Sequence, residues 1–480
     1  MQIVDSILFW ANTTPARPAI IQPHGVQTYR MLADAITAAA SHFARAELDP
    51  AKPVAVAIQD PARMLIATLG LLHAGFSVVP AQEKLLEHVP LTGANTLVSE
   101  HGGVVWTDRT TILFNDAWMS TQARRPEAGA VAPVIAGDGD MIFFTSGSTG
   151  RPKMNVHTPQ ARAQRVFHSK ALAFAEFERA LVVPSLTSSF GFHHTSEILH
   201  FGKTVCFAPF GQPTLLLANL YNIEFIIASV QQAIALADFQ EKGGRVRLPH
   251  LKALRIAGGM ISRQGIERLK LSLCRNVVVL YASTEAGIVA IAPHDMIAGI
   301  PDAVGFVVPG VKLEIVDAAG AVLPIGSEGF VRIETPVTKL SAARDRDAGD
   351  ESSWYYPGDI GRITENGLLC IAGRREDVLN RGGVKLATTD FEEFLAAAPG
   401  VRDAGACSVM GETGFSEIWV GVVLDDGVDM GDFRRHIESN QKFSGNIDKM
   451  FVVEEIPRSE NRKLQREQLQ AMLTSITVQD

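Results

Sequence analysis

Short apolar runs of strand length alternate with helical patterns along most of this 480-residue chain. No other feature of the sequence limits its possible folds so strictly. VAVAIQ (54–59) reads as a strand, ARMLIATLGLLHAG (62–75) as a helix closed by glycine, and SVVPA as the next strand. The alternation returns at ALVVPS, TVCFAP, IEFIIAS, ALRIAGG and NVVVLYAS. Strands alternating with helices imply α/β architecture with mostly parallel sheet. The texture changes after about residue 300. VKLEIVDAAGAVLPIGSEGFVRIET holds two alternating strands joined by a Gly/Pro-containing turn, which predicts antiparallel hairpins or a small barrel. SAARDRDAGDESS (341–353) reads as an exposed polar loop, and from about 374 the pattern is that of a compact α+β unit. The expected division is therefore a large N-terminal domain (1–373) of mostly parallel sheets with helices plus a small barrel-like β region, and a smaller α+β C-terminal domain (374–480).

Charge narrows the partners. The formal net charge of −8 speaks against a general nucleic-acid binder, while leaving room for a local basic pocket. The cysteines Cys206, Cys274, Cys370 and Cys407 are scattered and form no CxxC pair, so buried thiols in a reducing compartment are expected. The N-terminus lacks a basic region and cleavage site, no apolar run reaches about 18 residues, and the C-terminus carries no address motif. The expectation is a cytoplasmic protein without a membrane span, monomeric or homodimeric.

MIFFTSGSTGRPK (141–153) carries the first chemical signal. An apolar strand runs into a loop of threonine, serine and glycine, then into two cations. Such a loop can wrap a phosphate, because its backbone N–H groups and hydroxyls donate to phosphate oxygens and Lys153 adds charge. It is neither GxxxxGK[ST] nor GxGxxG. TSGSTGRPK (145–153) resembles the phosphate loop of the adenylate-forming superfamily: acyl-CoA synthetases, adenylation domains of peptide synthetases, and luciferases. YASTEAG (281–287), WYYPGDIG (354–361), GRREDVLNRGGVKLATTDFEEFL (373–395) and PRSENRKLQRE (457–467) resemble the superfamily's further motifs, in order. The likeness covers essentially the whole chain.

The resemblance implies ATP-dependent activation of a carboxylic acid through an acyl-adenylate, with ATP, Mg²⁺ and either CoA or a carrier protein's phosphopantetheine as cosubstrates. It places Thr145, Ser146, Gly147, Ser148, Thr149, Gly150 and Lys153 on the β- and γ-phosphates. Tyr281 and Ser283 lie beside the nucleotide, Thr284 lies on the α-phosphate, and Glu285 holds Mg²⁺. Asp359 accepts from the ribose hydroxyls, a task suited to an acceptor-only carboxylate, and Arg374 binds ribose or phosphate. Lys463 is the implied catalytic lysine, Glu376 the hinge of a mobile C-terminal domain, and Gly383 the glycine beside a thiol tunnel, where a side chain would block passage.

The acyl pocket departs from the pattern. LTSSFGFHHTSE (186–197) has Thr187, Ser188 and Ser189 before Phe190-Gly191, with His193 and His194 after it, which implies a polar or reshaped pocket. Two readings of His193 and His194 stand side by side: they line the acyl pocket and contact substrate, or one is a satisfied core histidine and the other faces solvent. Gly258 and Gly259 of RIAGGMIS leave space there. No aspartate occurs between Asp140 and Asp238, which disfavours an α-amino acid substrate. Arg462 stands where glycine is usual, and Glu376 where relatives carry Asp or Lys. Two enzymatic readings follow, a CoA ligase and an enzyme loading a carrier protein in trans. A third, a catalytically silent ligand-binding protein, is opposed by the retained Glu285, Asp359, Arg374 and Lys463.

Overall fold

The computed structural model describes residues 2–82, 86, 89–100, 110–120, 139–145, 153–170, 176–242, 245–261, 263–345, 353–374, 378–381, 384–410, 416–425, 427–428, 430–439, 447–459 and 464–479. The expected parallel α/β core is present. The strands Arg179–Val182, Thr204–Cys206, Phe225–Ser229, Ala253–Ala257 and Val277–Ser283 run parallel within one 13-stranded sheet. Both faces of these strands are covered. Ala253, Ala257, Val278 and Leu280 enter one core, and Leu254, Ile256 and Val277 enter the opposite one. That is why these strands read as unbroken apolar runs.

The first core is shared with a six-stranded sheet built around the parallel strands Val54–Ala57, Val78–Pro80 and Thr96–Ser99. Between the two sheets lie the helices Tyr29–Arg45 and Pro61–His73, whose apolar residues join the same cluster. Local signals set their ends. Thr28 Oγ1 accepts from Met31 N at 3.3 Å, and Asp60 Oδ1 accepts from Arg63 N at 2.8 Å, just before Pro61.

The antiparallel region after residue 287 continues the large sheet in the order Lys312–Val316, Gly329–Glu334, Asp359–Ile363, Leu368–Arg374, Ala303–Val307, Gly287–Pro293. Strands at opposite ends of that series share one core, through Ile315, Val331, Ile371 and Val289. The ribbon therefore curls on itself, as the barrel-like reading anticipated. One expectation needs correction: part of the polar loop expected over 341–353 belongs to the helix Pro336–Asp345. Lys, Ala and Arg in that stretch favour helix over loop, which polarity alone does not reveal.

After Leu368–Arg374 the strands belong to other sheets. Val401–Met410, Ser416–Leu424 and Lys449–Val452 form a three-stranded sheet with a core on each face, one around Phe391, Ile418 and Phe433 and one around Trp419, Leu469 and Leu473. All four cysteines are buried and unbridged. Among the described residues no helix is long and apolar enough to cross a membrane.

The helix Ser189–His200 carries the altered motif. Ser188 caps it, its Oγ accepting from Gly191 N at 3.1 Å. Position 191 admits only glycine, since a Cβ there would lie 2.1 Å from the Ser185 carbonyl oxygen. Farther along, Glu197 Oε2 lies 3.7 Å from Nη1 of Arg255, which projects from the centre of its strand and is 3% exposed. Glu197→Ala removes this carboxylate from a buried guanidinium, which costs about 3–5 kcal/mol. Denaturant unfolding should register that loss; a variant as stable as the parent would show that the pair does not anchor the helix.

Candidate active site

Five parallel strands end on one edge of the large sheet, the edge at which open α/β sheets hold ligands. The turn 284–286 follows Val277–Ser283 there, Gly258 and Gly259 follow Ala253–Ala257, and the helix bearing Phe190, His193 and His194 begins beyond Arg179–Val182. Gly258 adopts φ +80°, and a Cβ on Gly259 would meet Gln231 Nε2 at 2.8 Å. The small residues thus keep the backbone low at this corner.

The turn 284–286 is held from several directions. Ser283 Oγ accepts from Ala286 N at 2.9 Å, and Thr335 Oγ1 donates to the Ala286 carbonyl at 3.2 Å. The Thr284 carbonyl accepts from the Arg165 guanidinium and, at 2.9 Å, from Nε2 of His157. His157 ends the strand Lys153–His157, and Arg165 lies on the helix Pro159–Lys170. The Glu285 carboxylate accepts from Tyr355 Oη at 3.0 Å, and Tyr355 is fixed by two 2.8 Å backbone bonds to Ile333.

Sequence-distant residues meet here. Asp359 is buried and accepts from Tyr281 Oη across 78 positions. Asp359 and Arg374 are cross-strand partners in the antiparallel ladder. Thr145 pairs with Lys153, so the two ends of the TSGSTGRPK loop lie opposite each other. Ser146, Gly147, Ser148, Thr149, Gly150, Glu376, Gly383 and Lys463 lie outside the described residues. The segment leading to Lys463 is anchored on both sides. Arg458 donates to both Asp403 oxygens, at 2.8 and 2.6 Å, and bridges to Leu464, which is buried.

No group of three or more His, Cys, Asp or Glu side chains that could hold a metal converges among the described residues. Among the described residues Glu285 is thus not part of a cluster of such side chains. One carboxylate suits Mg²⁺ carried by nucleotide phosphates.

The AMP-binding enzyme family model matches residues 9–339. The chain belongs to this adenylate-forming family. This AMP-binding enzyme is similar to 2-succinylbenzoate–CoA ligase of Bacillus pumilus, at 25% identity over 500 residues covering 97% of each protein. It is also similar to the salicyl-AMP ligase / salicyl-S-ArCP synthetase of Mycobacterium tuberculosis, at 23% identity over 84% of this chain and 77% of that one. The structure of O-succinylbenzoate coenzyme A synthetase from Bacillus subtilis, in complex with AMP, shares the fold, with TM-score 0.78 at 20% identity and 97% coverage of each chain.

Sequence reasoning did not single out His157, Arg165 and Tyr355, which brace this candidate site. His157 in KMNVH and Tyr355 in WYYPGD adjoin recognised motifs, whereas Arg165, on the helix Pro159–Lys170, carries no local signal. Of the two alternatives left open for His193 and His194, substrate contact or one core and one solvent-facing histidine, the solvent-facing part of the second does not hold. Instead His194 is buried, its Nδ1 donating to the Phe190 carbonyl at 2.9 Å, and His193 is only partly exposed, bonded to His157 at 2.8 Å. Phe143 and Phe192 pack against the His193 ring, and Phe190 packs edge-on against His194.

Burial foremost, then the Arg165 guanidinium, holds the His157 and His193 imidazoles well below their ordinary range. Burial and then Arg255 lower His194 to about 3. Burial likewise lowers Arg165 to about 10, against the opposing pull of Glu285, so Arg165 remains a cation at neutral pH. The three histidines stay neutral in the folded enzyme while their unfolded counterparts protonate below about pH 6.5. Their contribution is complete above that pH and is lost as pH falls, by up to about 1.4 kcal/mol per pH unit per histidine. Unfolding midpoints measured from pH 7 to 5 should fall, and less steeply in His194→Gln; identical slopes would contradict the assigned shift.

Proposed function

We propose that this enzyme joins a carboxylic acid to a thiol in two steps. A carboxylate oxygen attacks the α-phosphorus of ATP, and the bond to the bridging oxygen breaks to release pyrophosphate. The thiolate then attacks the acyl carbon of the adenylate, and AMP departs as the acyl–oxygen bond breaks. The observation that carries this reading is the convergence of the Tyr281–Asp359 pair with the clamped 284–286 turn on the carboxyl edge of the sheet.

Both reactants of the first step are anions, so positioning and charge neutralisation are the main catalytic needs. Asp359, oriented by Tyr281, accepts from ribose hydroxyls, with Arg374 opposite it. The loop from Thr145 to Lys153 holds the β- and γ-phosphates. Thr284 meets the α-phosphate from a turn that Arg165 and His157 keep from shifting, and Glu285 would hold Mg²⁺, which would supply charge neutralisation for the phosphates. Lys463 lies between the incoming carboxylate and the α-phosphate.

Residues 1–373 form the nucleotide and acyl domain and 374–480 the mobile domain that delivers Lys463. The change of sheet after Leu368–Arg374 and the separate cores beyond it support this division. Glu376 is the hinge, and Gly383 lets the thiol arm pass. CoA is the favoured thiol, in line with the ligase relatives. The relative named as a salicyl-S-ArCP synthetase supports the second reading, in which a carrier protein's pantetheine accepts the acyl group.

Lys463→Ala should lower acid-dependent adenylate formation about 100-fold or more with unchanged thermal unfolding. Undiminished ATP–pyrophosphate exchange in that variant would remove the catalytic assignment. Gly383→Leu should retain pyrophosphate release in the first turnover and fail to form acyl-CoA. Equal loss of both half-reactions would overturn the tunnel.

A further inference from the structure

The hydrogen-bond chain behind the 284–286 turn fixes how His193 can read a substrate. Thr284 C=O can only accept, so the His157 Nε2 that lies 2.9 Å away carries a proton. The opposite tautomer would place two lone pairs against each other at that distance. The alternative partner of Nε2, Arg165 Nη2, is farther off at 3.4 Å, and Arg165 already donates to the same carbonyl. His157 is buried beside Arg165 and Arg162 and is neutral, so its Nδ1 is bare. A bare nitrogen accepts, and the bond of 2.8 Å to His193 Nε2 therefore takes its proton from His193.

His193 is neutral too, which leaves Nδ1 as an unprotonated acceptor. This nitrogen has no hydrogen-bond partner among the described residues, and the residue is only partly buried. It sits on the second turn of the Ser189–His200 helix, at the carboxyl edge that also carries the 284–286 turn and Gly258-Gly259. The neighbouring histidine obeys the same logic: His194 donates through Nδ1 to Phe190 C=O, and its bare Nε2 is buried with no partner.

We propose that His193 Nδ1 is a specificity acceptor, and that the acid this enzyme activates carries a hydrogen-bond donor, a hydroxyl or N–H, on its acyl portion. The inference rests on the carboxylate-activating reading of the site. A second carboxylate is unsuited to this position, because it would face a lone pair and gain no proton from it.

The test uses the full chain and matched acids: the three hydroxybenzoates and 3-hydroxybutyrate, each against its O-methyl ether, with pyrophosphate release as the readout. At least one hydroxy acid should exceed its ether roughly 100-fold in kcat/KM. The ratio should fall to near one in His193→Phe and be partly kept in His193→Gln, whose amide oxygen still accepts. Equal use of ether and hydroxy acid by the parent enzyme, or an unaltered ratio in His193→Phe, would overturn the proposal while leaving acid activation in place. No release with any acid would sink the activation reading and this inference with it. Nitrogen-15 spectra of the histidine rings give a check independent of turnover. Pyridine-type Nδ1 signals are expected for both His157 and His193, and a protonated His193 Nδ1 would overturn the proposal.

Discussion

The Thr284 carbonyl is the point on which the site depends. A backbone oxygen at the end of a buried strand must be satisfied, and here a guanidinium and an imidazole satisfy it together. Each comes from an element outside the Val277–Ser283 strand, one from the helix Pro159–Lys170 and one from the strand that follows the TSGSTGRPK loop. Binding both to one carbonyl ties the strand Lys153–His157 and the helix Pro159–Lys170 to the turn bearing Glu285. On the proposed assignment of nucleotide contacts, a turn held in this way lowers the reorganisation needed during reaction.

That clamp also sets the electrical character of the acyl side. Burial first, and then the nearby Arg165 and Arg162 guanidiniums, keep the histidines beyond the carbonyl from readily taking a proton. Positive charge is kept at the turn, and the Ser189–His200 helix carries neutral imidazoles. Arg255 and Glu197 contribute a buried ion pair beneath the same helix. On the proposed assignment of this helix to the acyl pocket, its described residues offer neutral polar groups there.

Much of this was legible in the sequence. Apolar runs flanked by glycine marked the parallel strands, because strands covered on both faces need no alternation. Tyr281, Asp359 and Arg374 were marked by motifs that are local in sequence, and folding then joined Asp359 to Tyr281 and set it opposite Arg374. What stayed hidden were contacts with no local signature. His157 meets His193 across 36 positions and Thr284 across 127, and nothing in KMNVH announces either partner. Tyr355 was quoted within a motif, yet its bond to Glu285 depends on a bridge to Ile333. The helix Pro336–Asp345 was read in part as loop because its polar residues masked their helical preference.

The central claim is that the clamped turn and its neighbours activate a carboxylate with ATP. Acid-dependent ATP–pyrophosphate exchange by the full-length enzyme tests it most directly. Exchange should be absent with MgATP alone and appear when a suitable acid is added, before any thiol is supplied. An enzyme that binds MgATP yet shows no exchange with short, long, aromatic or hydroxylated acids would contradict the account.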